Sequence, residues 1–366
     1  MKVFFDNKIF VNQSHGGPTN YFINLSKHLN HYCKSEIFSP MHLNDTLHEF
    51  KNLGNVYGYK LPFNQYLIKY NFIKKFLHNT NFVLANKNIN RFNYDVLHTT
   101  YYENYSYKLN NKNLLKVVTI FDLISEKFSN LYGQNKKFLP KKEILNSCDK
   151  IICISQNTKK DLQKIYNVPE KKIEVIYLGY PEKIEDLENK FNFPYIMFVG
   201  TRWKYKNFDR FIKAYANNKR INSNFKLLIF GGGKFTKLEI KMFKEYKVNT
   251  DNIIHVSGDN KTLFGCYKFA SLFVYPTLYE GFGLPILESM IYDCPIACSY
   301  TSSLPEVAGD GAIYFNPENI DEMSYKIEKI LFSENLKFSV INNGKNQLKK
   351  FSWDKCARET IDFYKK

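Results

Sequence analysis

Short apolar runs alternate with amphipathic stretches along most of the chain, and this alternation predicts strands that are followed by helices. Continuous apolar runs are typical of parallel strands that are buried on both faces. Between the runs, apolar residues recur at helical spacing, as they do at Phe208, Phe211, Ile212 and Tyr215. This order predicts an α/β fold with two doubly wound parallel sheets that face each other across a cleft. We expect strands at Met1–Phe5 with its continuation Lys8–Val11, Tyr94–His98, Leu114–Ile120, Ile151–Ile154, Ile173–Tyr177, Tyr195–Val199, Lys226–Phe230, Asn252–Ser257, Ser271–Tyr275, Pro295–Ser299 and Ala312–Phe315.

The length of the chain, 366 residues, exceeds what one hydrophobic core usually supports, so we expect two domains. The first is predicted at residues 1–180 and the second at 190–345, with a polar, acidic linker between them. Apolar residues on one face of 352–366 predict a final amphipathic helix. Residues 40–92 are rich in Asn, Lys and Tyr and predict little beyond a helical stretch near Tyr66–Leu77.

Two predicted helices begin with residues that cap a helix well. Ser155 precedes the helix expected at Gln156–Tyr166, and a serine there accepts from the free N–H groups of the first turn. Thr236 and Glu239 have the spacing of a capping box. Both positions therefore predict where a helix starts.

The stretch that follows the strand at Ser271–Tyr275 has the features of a ligand-binding junction. Pro276 ends the strand because proline cannot donate to a sheet ladder, and Pro285 stands where a helix would begin. Ligands bind at the carboxyl ends of strands in such folds, and a helix start favours an anion. Glu280 and Glu288 bracket the junction. Taken alone, they also fit a solvated loop acid and an acid that complements the helix dipole.

The spacing E-x7-E around G-F-G-L-P resembles the signature of retaining nucleotide-sugar glycosyltransferases of the GT-B class, family 4. The runs I-C-I-S-Q-N-T-K-K-D-L and S-L-P-E-V-A-G resemble the same family, and the likeness covers most of residues 94–360. The resemblance implies that Glu280 faces the donor sugar, that Glu288 holds the ribose hydroxyls, and that the final helix crosses back onto the first domain. It also implies that backbone amides of the loop meet the sugar phosphate, so the donor-binding residues include Phe282, Gly283 and Leu284.

Two basic residues, Arg202 and Lys206, follow the strand at Tyr195–Val199, at the sheet edge where Glu280 is expected. Basic loop residues are often only solvated, but two cations beside a glycine and a helix start also suit a diphosphate clamp. The family carries Arg and Lys in this loop. Glycine lets a backbone approach a phosphate, although a pair of glycines can also be only a turn. The resemblance implies that Gly16 and Gly17 approach the donor diphosphate and that Gly232 lies near the nucleotide.

On the acceptor side, His98 and Asp122 stand at the ends of two predicted strands. Residues in such places are commonly packed or solvated, and the acceptor-side role of His98 and the catalytic role of Asp122 come from the family resemblance. The chain departs from that resemblance at Phe121, where relatives often have histidine. A histidine role at that position is therefore not expected.

The formal net charge is +17, with lysines spread along the chain and no basic block. AT-rich codon usage would account for this without any function; otherwise the charge suits an anionic membrane surface or, less well, nucleic acid. No apolar run is long enough to span a membrane, and the start lacks the apolar core of a signal peptide. Seven scattered cysteines without a C-x-x-C pair suit reduced thiols. We expect a cytoplasmic protein, with peripheral contact at the inner face of the membrane as one possibility.

The family resemblance implies transfer of a hexose from a nucleoside-diphosphate sugar, with mannose as the first choice because it is frequent in the family. The expected acceptor is a saccharide or a lipid-linked saccharide in surface polysaccharide synthesis. No cofactor is expected because the nucleotide sugar is a substrate, and no metal is expected because no D-x-D follows a strand end. Three alternatives stay open: a nucleotide-sugar epimerase of the same fold, a DNA-modifying glucosyltransferase and a non-catalytic sugar- or nucleotide-binding protein.

Overall fold

The computed structural model describes residues 1–50, 54–102, 113–129, 141–202 and 204–366. The chain divides into two compact units. Unit 1 takes its described residues from Met1–Glu126, Gln134–Gly179 and Ser352–Lys366, and unit 2 takes its own from Lys127–Gly133 and Tyr180–Phe351. No helix in the described ranges is both long and apolar enough to cross a bilayer.

Unit 1 contains a parallel sheet with the strand order β3-β2-β1-β4-β5-β6-β7. Its described strands are β1 Lys2–Phe5, β2 Lys34–His42, β3 Val56–Lys60, β4 Val96–Thr99, β5 Leu115–Ile120, β6 Lys150–Cys153 and β7 Ile173–Val175. The helices between and after them are α1 Lys8–Asn12, α2 Gly17–Leu29, α3 Asp45–Glu49, α4 Asn64–Leu67, α5 Asn71–Phe92, α6 Ile124–Lys127, α7 Lys141–Ser147 and α8 Gln156–Tyr166.

Two sequence predictions in unit 1 need correction. Lys8–Val11 is not a continuation of β1 but lies in helix α1, because the Asp6 carboxylate accepts the Lys8 N–H and the Asn7 carbonyl accepts the N–H groups of the next turn. Strands β2 and β3 were not predicted. Strand β2 lacks a continuous apolar run because it contains polar residues. Two of them, Ser35 and Glu36, are nevertheless buried, and they form hydrogen bonds with Ser26 and Tyr94, respectively.

Unit 2 contains a second parallel sheet with the order β10-β9-β8-β11-β12-β13. Its described strands are β8 Tyr195–Val199, β9 Lys226–Phe230, β10 Ile253–Val256, β11 Leu272–Tyr275, β12 Ile296–Ser299 and β13 Ile313–Phe315. Its helices are α9 Phe208–Asn217, α10 Lys219–Asn224, α11 Lys237–Glu245, α12 Asn260–Lys268, α13 Leu284–Ile291, α14 Leu304–Ala308, α15 Ile320–Leu331 and α16 Glu334–Leu348. The last helix of the chain, α17 Trp353–Lys365, belongs to unit 1.

Local sequence signals for helices hold in the structure. Ser155 accepts the N–H of Thr158 at the start of α8, and Thr236 and Glu239 form both bonds of a capping box at the start of α11. The predicted apolar face of α9 is buried against the sheet of unit 2, where the ring of Phe208 meets that of Phe198 at 5.1 Å. The predicted caps and helix face are therefore confirmed.

Each sheet has one place where the strand order reverses direction. In unit 2 this switch point lies between β8 and β11, and in unit 1 it lies between β1 and β4. The loops that leave neighbouring strands there run to opposite sides, so a crevice opens at the carboxyl edge. Functional residues are therefore expected in the loops that follow these four strands.

Candidate functional site

The switch point of unit 2 brings together two residues that are 74 positions apart in the sequence. Lys206 follows β8 and Glu280 follows β11, and the Lys206 Nζ lies 2.6 Å from Glu280 Oε1. The same ammonium group donates to the Tyr275 hydroxyl at 3.3 Å. Each side chain of the ion pair keeps 12% of its surface exposed. The pair is therefore held in place yet open to solvent on one side.

Two serines hold the loop that carries Glu280 through hydrogen bonds to its backbone. The Glu280 N–H donates to Ser302 Oγ at 2.9 Å, and Ser303 Oγ donates to the carbonyls of Glu280 and Phe282 at 3.0 and 2.8 Å. Ser303 is fully buried. These bonds fix the backbone on both sides of the glutamate, so its carboxylate has a defined position.

Asn207 fixes the loop that carries Lys206. Its backbone has φ +58°, in the left-handed region that asparagine tolerates better than most residues. Its buried side-chain amide donates to the carbonyls of Pro276 and Pro317 at 3.0 and 2.7 Å. The loops after β8 and β11 are thereby tied to each other, beside the ion pair.

Helix α13 begins directly after this loop, as the sequence predicts. Gly283 has φ +102°, and a Cβ there would lie 2.8 Å from the side chain of Leu304, so no other residue fits without strain. Phe282 is buried, with its ring 5.8 Å from that of Phe351, while Leu284 is the first residue of the helix. Phe282 therefore packs into unit 2, and its expected contact with a donor concerns its backbone.

Glu288 lies one turn into α13 and accepts a hydrogen bond from the Tyr267 hydroxyl at 3.2 Å. The residue is partly exposed, but burial of its carboxyl group raises the pKa of Glu288 to about 7, and the bond from Tyr267 opposes this shift. A carboxyl group that is half protonated near neutral pH can donate to or accept from a sugar hydroxyl. Its position suits the predicted ribose contact, which stays a prediction.

Arg202 is placed differently from what the clamp hypothesis expects. Its guanidinium forms an ion pair with Glu239 and donates to the carbonyls of Gly231, Gly233 and Lys234, at 3.0, 3.0 and 3.1 Å. Only 4% of the side chain is exposed. Glu239 is also the acid of the capping box, and its bonds to Arg202 and Thr236 outweigh burial and lower its pKa. These contacts hold the glycine loop after β9.

Gly232 lies within that loop, and its φ is +72°. A Cβ at this position would lie 2.6 Å from the Nη1 of Arg202. The packing of Arg202 against the loop is therefore sufficient reason for glycine here. A contact of Gly232 with a nucleotide stays a prediction.

In unit 1, His98 is fully buried within β4. Its Nδ1 lies 2.6 Å from the Tyr364 hydroxyl and its Nε2 lies 2.8 Å from Thr119 Oγ1, so both ring nitrogens have a partner. Burial lowers the pKa of His98 to about 3, so the ring is neutral at physiological pH. These contacts join the sheet to α17 and give His98 a structural task. The predicted acceptor-side role remains untested.

The other predicted residues of unit 1 lie at chain turns. Asp122 is partly exposed, and its Oδ1 accepts the N–H of Ile124 at 3.0 Å, at the start of α6. Gly16 precedes α2 with φ +157°, and a Cβ there would overlap the side-chain amide of Gln13. A Cβ on Gly17 would meet no atom within 4 Å, so the space beside the first turn of α2 is open.

Several residues that shape the site escaped the sequence analysis as functional candidates. Ser303 is the first residue of the S-L-P-E-V-A-G run and Ser302 directly precedes it, but the run does not show their hydrogen bonds to the loop of Glu280. Nothing in the sequence singles out Asn207, and the capping-box spacing indicates only a capping role for Glu239. No group of three or more His, Cys, Asp or Glu side chains in the described part of the chain is placed to hold a metal ion.

Comparison with protein families identifies both halves of the chain. The model described as Glycosyltransferase Family 4 matches residues 15–183, and the model described as Glycosyl transferases group 1 matches residues 180–347. The chain belongs to glycosyltransferase family 4. In this family 4 member, the second match contains Lys206, Glu280 and Glu288.

Two curated relatives are similar to this family 4 member. An uncharacterised glycosyltransferase of Methanocaldococcus jannaschii is 27% identical over 74% of this chain and 75% of its own length. The O-antigen chain mannosyltransferase B of Escherichia coli is 28% identical over 61% of this chain and 62% of its own length. The matched parts thus span between about three fifths and three quarters of the relatives.

Among solved structures, sucrose-phosphate synthase from Thermosynechococcus elongatus superposes with a TM-score of 0.76 at 18% identity. The match covers 100% of this chain and 98% of that one. At such low identity the likeness concerns the fold. Together with two parallel α/β units, it confirms the predicted GT-B fold class.

Proposed function

We propose that this family 4 member is a retaining glycosyltransferase that moves a hexose from a nucleoside-diphosphate sugar to an acceptor hydroxyl. The observation that carries the proposal is the ion pair of Lys206 and Glu280 at the switch point of unit 2. A cation and a carboxylate 2.6 Å apart at the carboxyl edge of a parallel sheet suit a ligand that offers both a phosphate and a sugar hydroxyl.

In the proposed reaction, the bond between the anomeric carbon and the leaving phosphate oxygen breaks. The acceptor oxygen bonds to the same face of that carbon, and the acceptor proton passes to the leaving phosphate. The departing diphosphate gains negative charge, which Lys206 and the N-terminus of α13 are placed to stabilise. Lys206 exchanges Glu280 for the phosphate, and Glu280 then turns to a hydroxyl of the sugar.

We further propose that this charge compensation needs neither a metal ion nor a cofactor. Because Arg202 is committed to Glu239 and to the carbonyls of the glycine loop, we assign the phosphate to Lys206. Arg202 then acts as a positioning residue for the loop of Gly232. Activity that persists in excess chelator would support this assignment, and a strict requirement for a divalent ion would contradict it.

The proposed donor is guanosine diphosphate-mannose, and the proposed acceptor is a saccharide or a lipid-linked saccharide of a surface polysaccharide. The similarity to an O-antigen chain mannosyltransferase of Escherichia coli supports the choice of mannose. A panel of nucleoside diphosphates and their sugars in a thermal-shift assay tests the donor. A ligand at a hundred times its Kd should stabilise the protein by about 2.7 kcal/mol.

The transfer itself is tested with the donor that the panel selects. We expect product only when a saccharide acceptor is present, with the anomeric configuration of the donor preserved in the product by NMR. An altered sugar from donor alone would indicate the epimerase. Transfer to duplex DNA with salt-sensitive binding would indicate the DNA-modifying enzyme. Binding without any turnover would contradict an enzymatic role.

A further inference from the structure

Unit 1 exposes a group of aromatic side chains that its own core does not use. We call Phe63, Tyr66, Tyr70, Phe72 and Phe76 the aromatic face; they lie in and around α4 and at the start of α5. Between 53% and 75% of each residue is exposed. Soluble proteins rarely leave large apolar side chains together on the surface unless the patch meets a partner.

In helix α5, the exposed aromatic residues lie on the side opposite to the one that packs into the core. Its inward face, Leu77, Asn81, Ala85 and Ile89, repeats every fourth residue and is buried. Phe72, Phe76 and Val83 stand on the opposite side, at positions i, i+4 and i+11, and all three are exposed. The inward face already packs on unit 1. The core of unit 1 therefore does not need the outward phenylalanines.

The charged residues within 50–94 have one sign, although Asp45, which precedes this segment, pairs with Lys60 and accepts from Asn64 of α4. Residues 50–94 contain no Asp or Glu, and they contain seven basic residues: Lys51, Lys60, Lys69, Lys74, Lys75, Lys87 and Arg91. On α5, Lys75 and Lys87 are exposed and flank the line of Phe72 and Phe76 on its two sides. Lys69 is exposed beside α4, where its ammonium lies 5.9 Å from the ring centre of Tyr66.

We propose that the aromatic face and its flanking lysines dock unit 1 on the surface of an anionic lipid bilayer. Phenylalanine and tyrosine rings insert at the boundary of head groups and acyl chains, and lysines beside them meet the negative surface. The start of α5, with Phe72 and Phe76 outward and cations on both flanks of the helix, can lie in the plane of such a surface. The complete absence of acidic residues across 50–94 favours this occupant over a protein surface of mixed charge. The proposal does not depend on the proposed reaction.

The test measures binding of the full chain to sedimented vesicles. We expect binding to equal parts of phosphatidylglycerol and phosphatidylcholine, little binding to phosphatidylcholine alone, and weaker binding as salt rises. The double variant Phe72→Ser/Phe76→Ser should lose affinity by about tenfold or more, because two large apolar side chains no longer leave water. The double variant Lys75→Gln/Lys87→Gln should lose about fivefold for each lysine, the equivalent of about 1 kcal/mol.

Matched controls come from exposed residues elsewhere. Phe338→Ser removes a phenylalanine that is 70% exposed in unit 2, and Lys160→Gln/Lys164→Gln removes two exposed lysines four residues apart on α8. Both controls should bind vesicles like the unchanged chain. Circular dichroism melts should agree for all variants, because every changed side chain is on the surface.

Three results would overturn the proposal. The first is absence of binding to anionic vesicles, and the second is equal binding by the phenylalanine variant and the unchanged chain. The third is self-association that the phenylalanine variant abolishes, without any lipid binding, which would assign the face to a second copy of the chain. None of these results bears on turnover, so the proposed reaction is judged separately.

Discussion

The switch points of the two sheets have the same topology, but different kinds of residues lie at them. In unit 1, Asp6 follows β1 and Thr100 follows β4; both are fully buried, and Asp6 accepts the Thr100 N–H at 2.9 Å as well as its hydroxyl. In unit 2, Lys206 and Glu280 pair in the loops that leave the corresponding strands, and each side chain keeps 12% of its surface exposed. The first arrangement closes the sheet edge, and the second leaves charges that a ligand can reach.

Burial has a different electrostatic effect at the two edges. It raises the pKa of Asp6 against the lowering effect of the bonds from Thr100, so a charge is disfavoured there. At the edge of unit 2 the carboxylate is instead matched by an ammonium group. Topology thus provides the crevice at both edges, whereas the residue types decide whether a neighbouring loop closes it or a charged pair lies there. The following experiments test this difference.

The largest effect is expected for Lys206→Ala. Loss of a preorganised cation beside the departing diphosphate should cost about 2–4 kcal/mol in transition-state stabilisation, measured as kcat/KM. Lys204→Ala is the matched control, because Lys204 is an exposed lysine of the same loop. Near-normal activity of Lys206→Ala would remove the electrostatic basis of the proposed reaction.

Glu280→Gln should lower turnover on the order of a hundredfold while nucleoside diphosphate affinity changes much less, because the proposed partner of Glu280 is the sugar. The glutamine retains the shape and can still be held by Ser302 and Ser303 through the backbone. Steady-state kinetics and calorimetric titration with the diphosphate measure the two quantities. Equal losses in both would show that Glu280 only holds the loop.

Glu288→Ala should weaken nucleotide binding by roughly 1–3 kcal/mol, the scale of a hydrogen bond that involves a charged group. Titration with the nucleoside diphosphate measures the loss. The variant Tyr267→Phe is a useful companion, since it removes the bond to Glu288 and leaves the carboxyl group in place. Unchanged affinity of a folded Glu288→Ala protein would contradict the ribose contact.

The stability of the protein should depend on pH through Glu288. Its pKa rises from 4.5 to about 7 on folding, so the folded state binds the proton more tightly than the unfolded state. The free energy of unfolding should therefore fall as pH rises from about 4.5 to about 7, by about 3 kcal/mol from this residue. Denaturant melts of Glu288→Gln should lack this part of the slope. An identical pH dependence in both proteins would show that the carboxyl group is not buried in solution.

The smallest effect on activity is expected for His98→Phe in unit 1. The substitution removes a partner of the buried Tyr364 hydroxyl and one of the two partners of Thr119 Oγ1, which also bonds to Tyr21, and should cost about 1–3 kcal/mol of stability. The KM for the acceptor should change little, since the ring is enclosed. A large increase in acceptor KM, with stability preserved, would instead support the acceptor role that the sequence predicted.

Much of the fold follows from signals that span only a few residues. The apolar runs at β8, β9 and β11, the cap at Ser155 and the capping box at Thr236 each act within one strand or one helical turn. Their physical causes, burial and satisfaction of backbone N–H groups, are local, so they can be read from the chain. The same holds for the spacing of Glu280 and Glu288 around the start of α13. The apolar pattern of Lys8–Val11 predicted a strand, whereas these residues lie in helix α1, so the pattern alone gave the wrong element there.

The α/β class, the strand-to-helix junctions and the residue types placed at them can all be predicted from local patterns in the chain. The tertiary structure alone decided which of those residues meet: Lys206 with Glu280, and Arg202 with Glu239 rather than an open cleft. It also enclosed His98 between β5 and α17. Strand order sets these partners, because sheet pairing brings together segments that are far apart in the chain. A local pattern carries no record of that order.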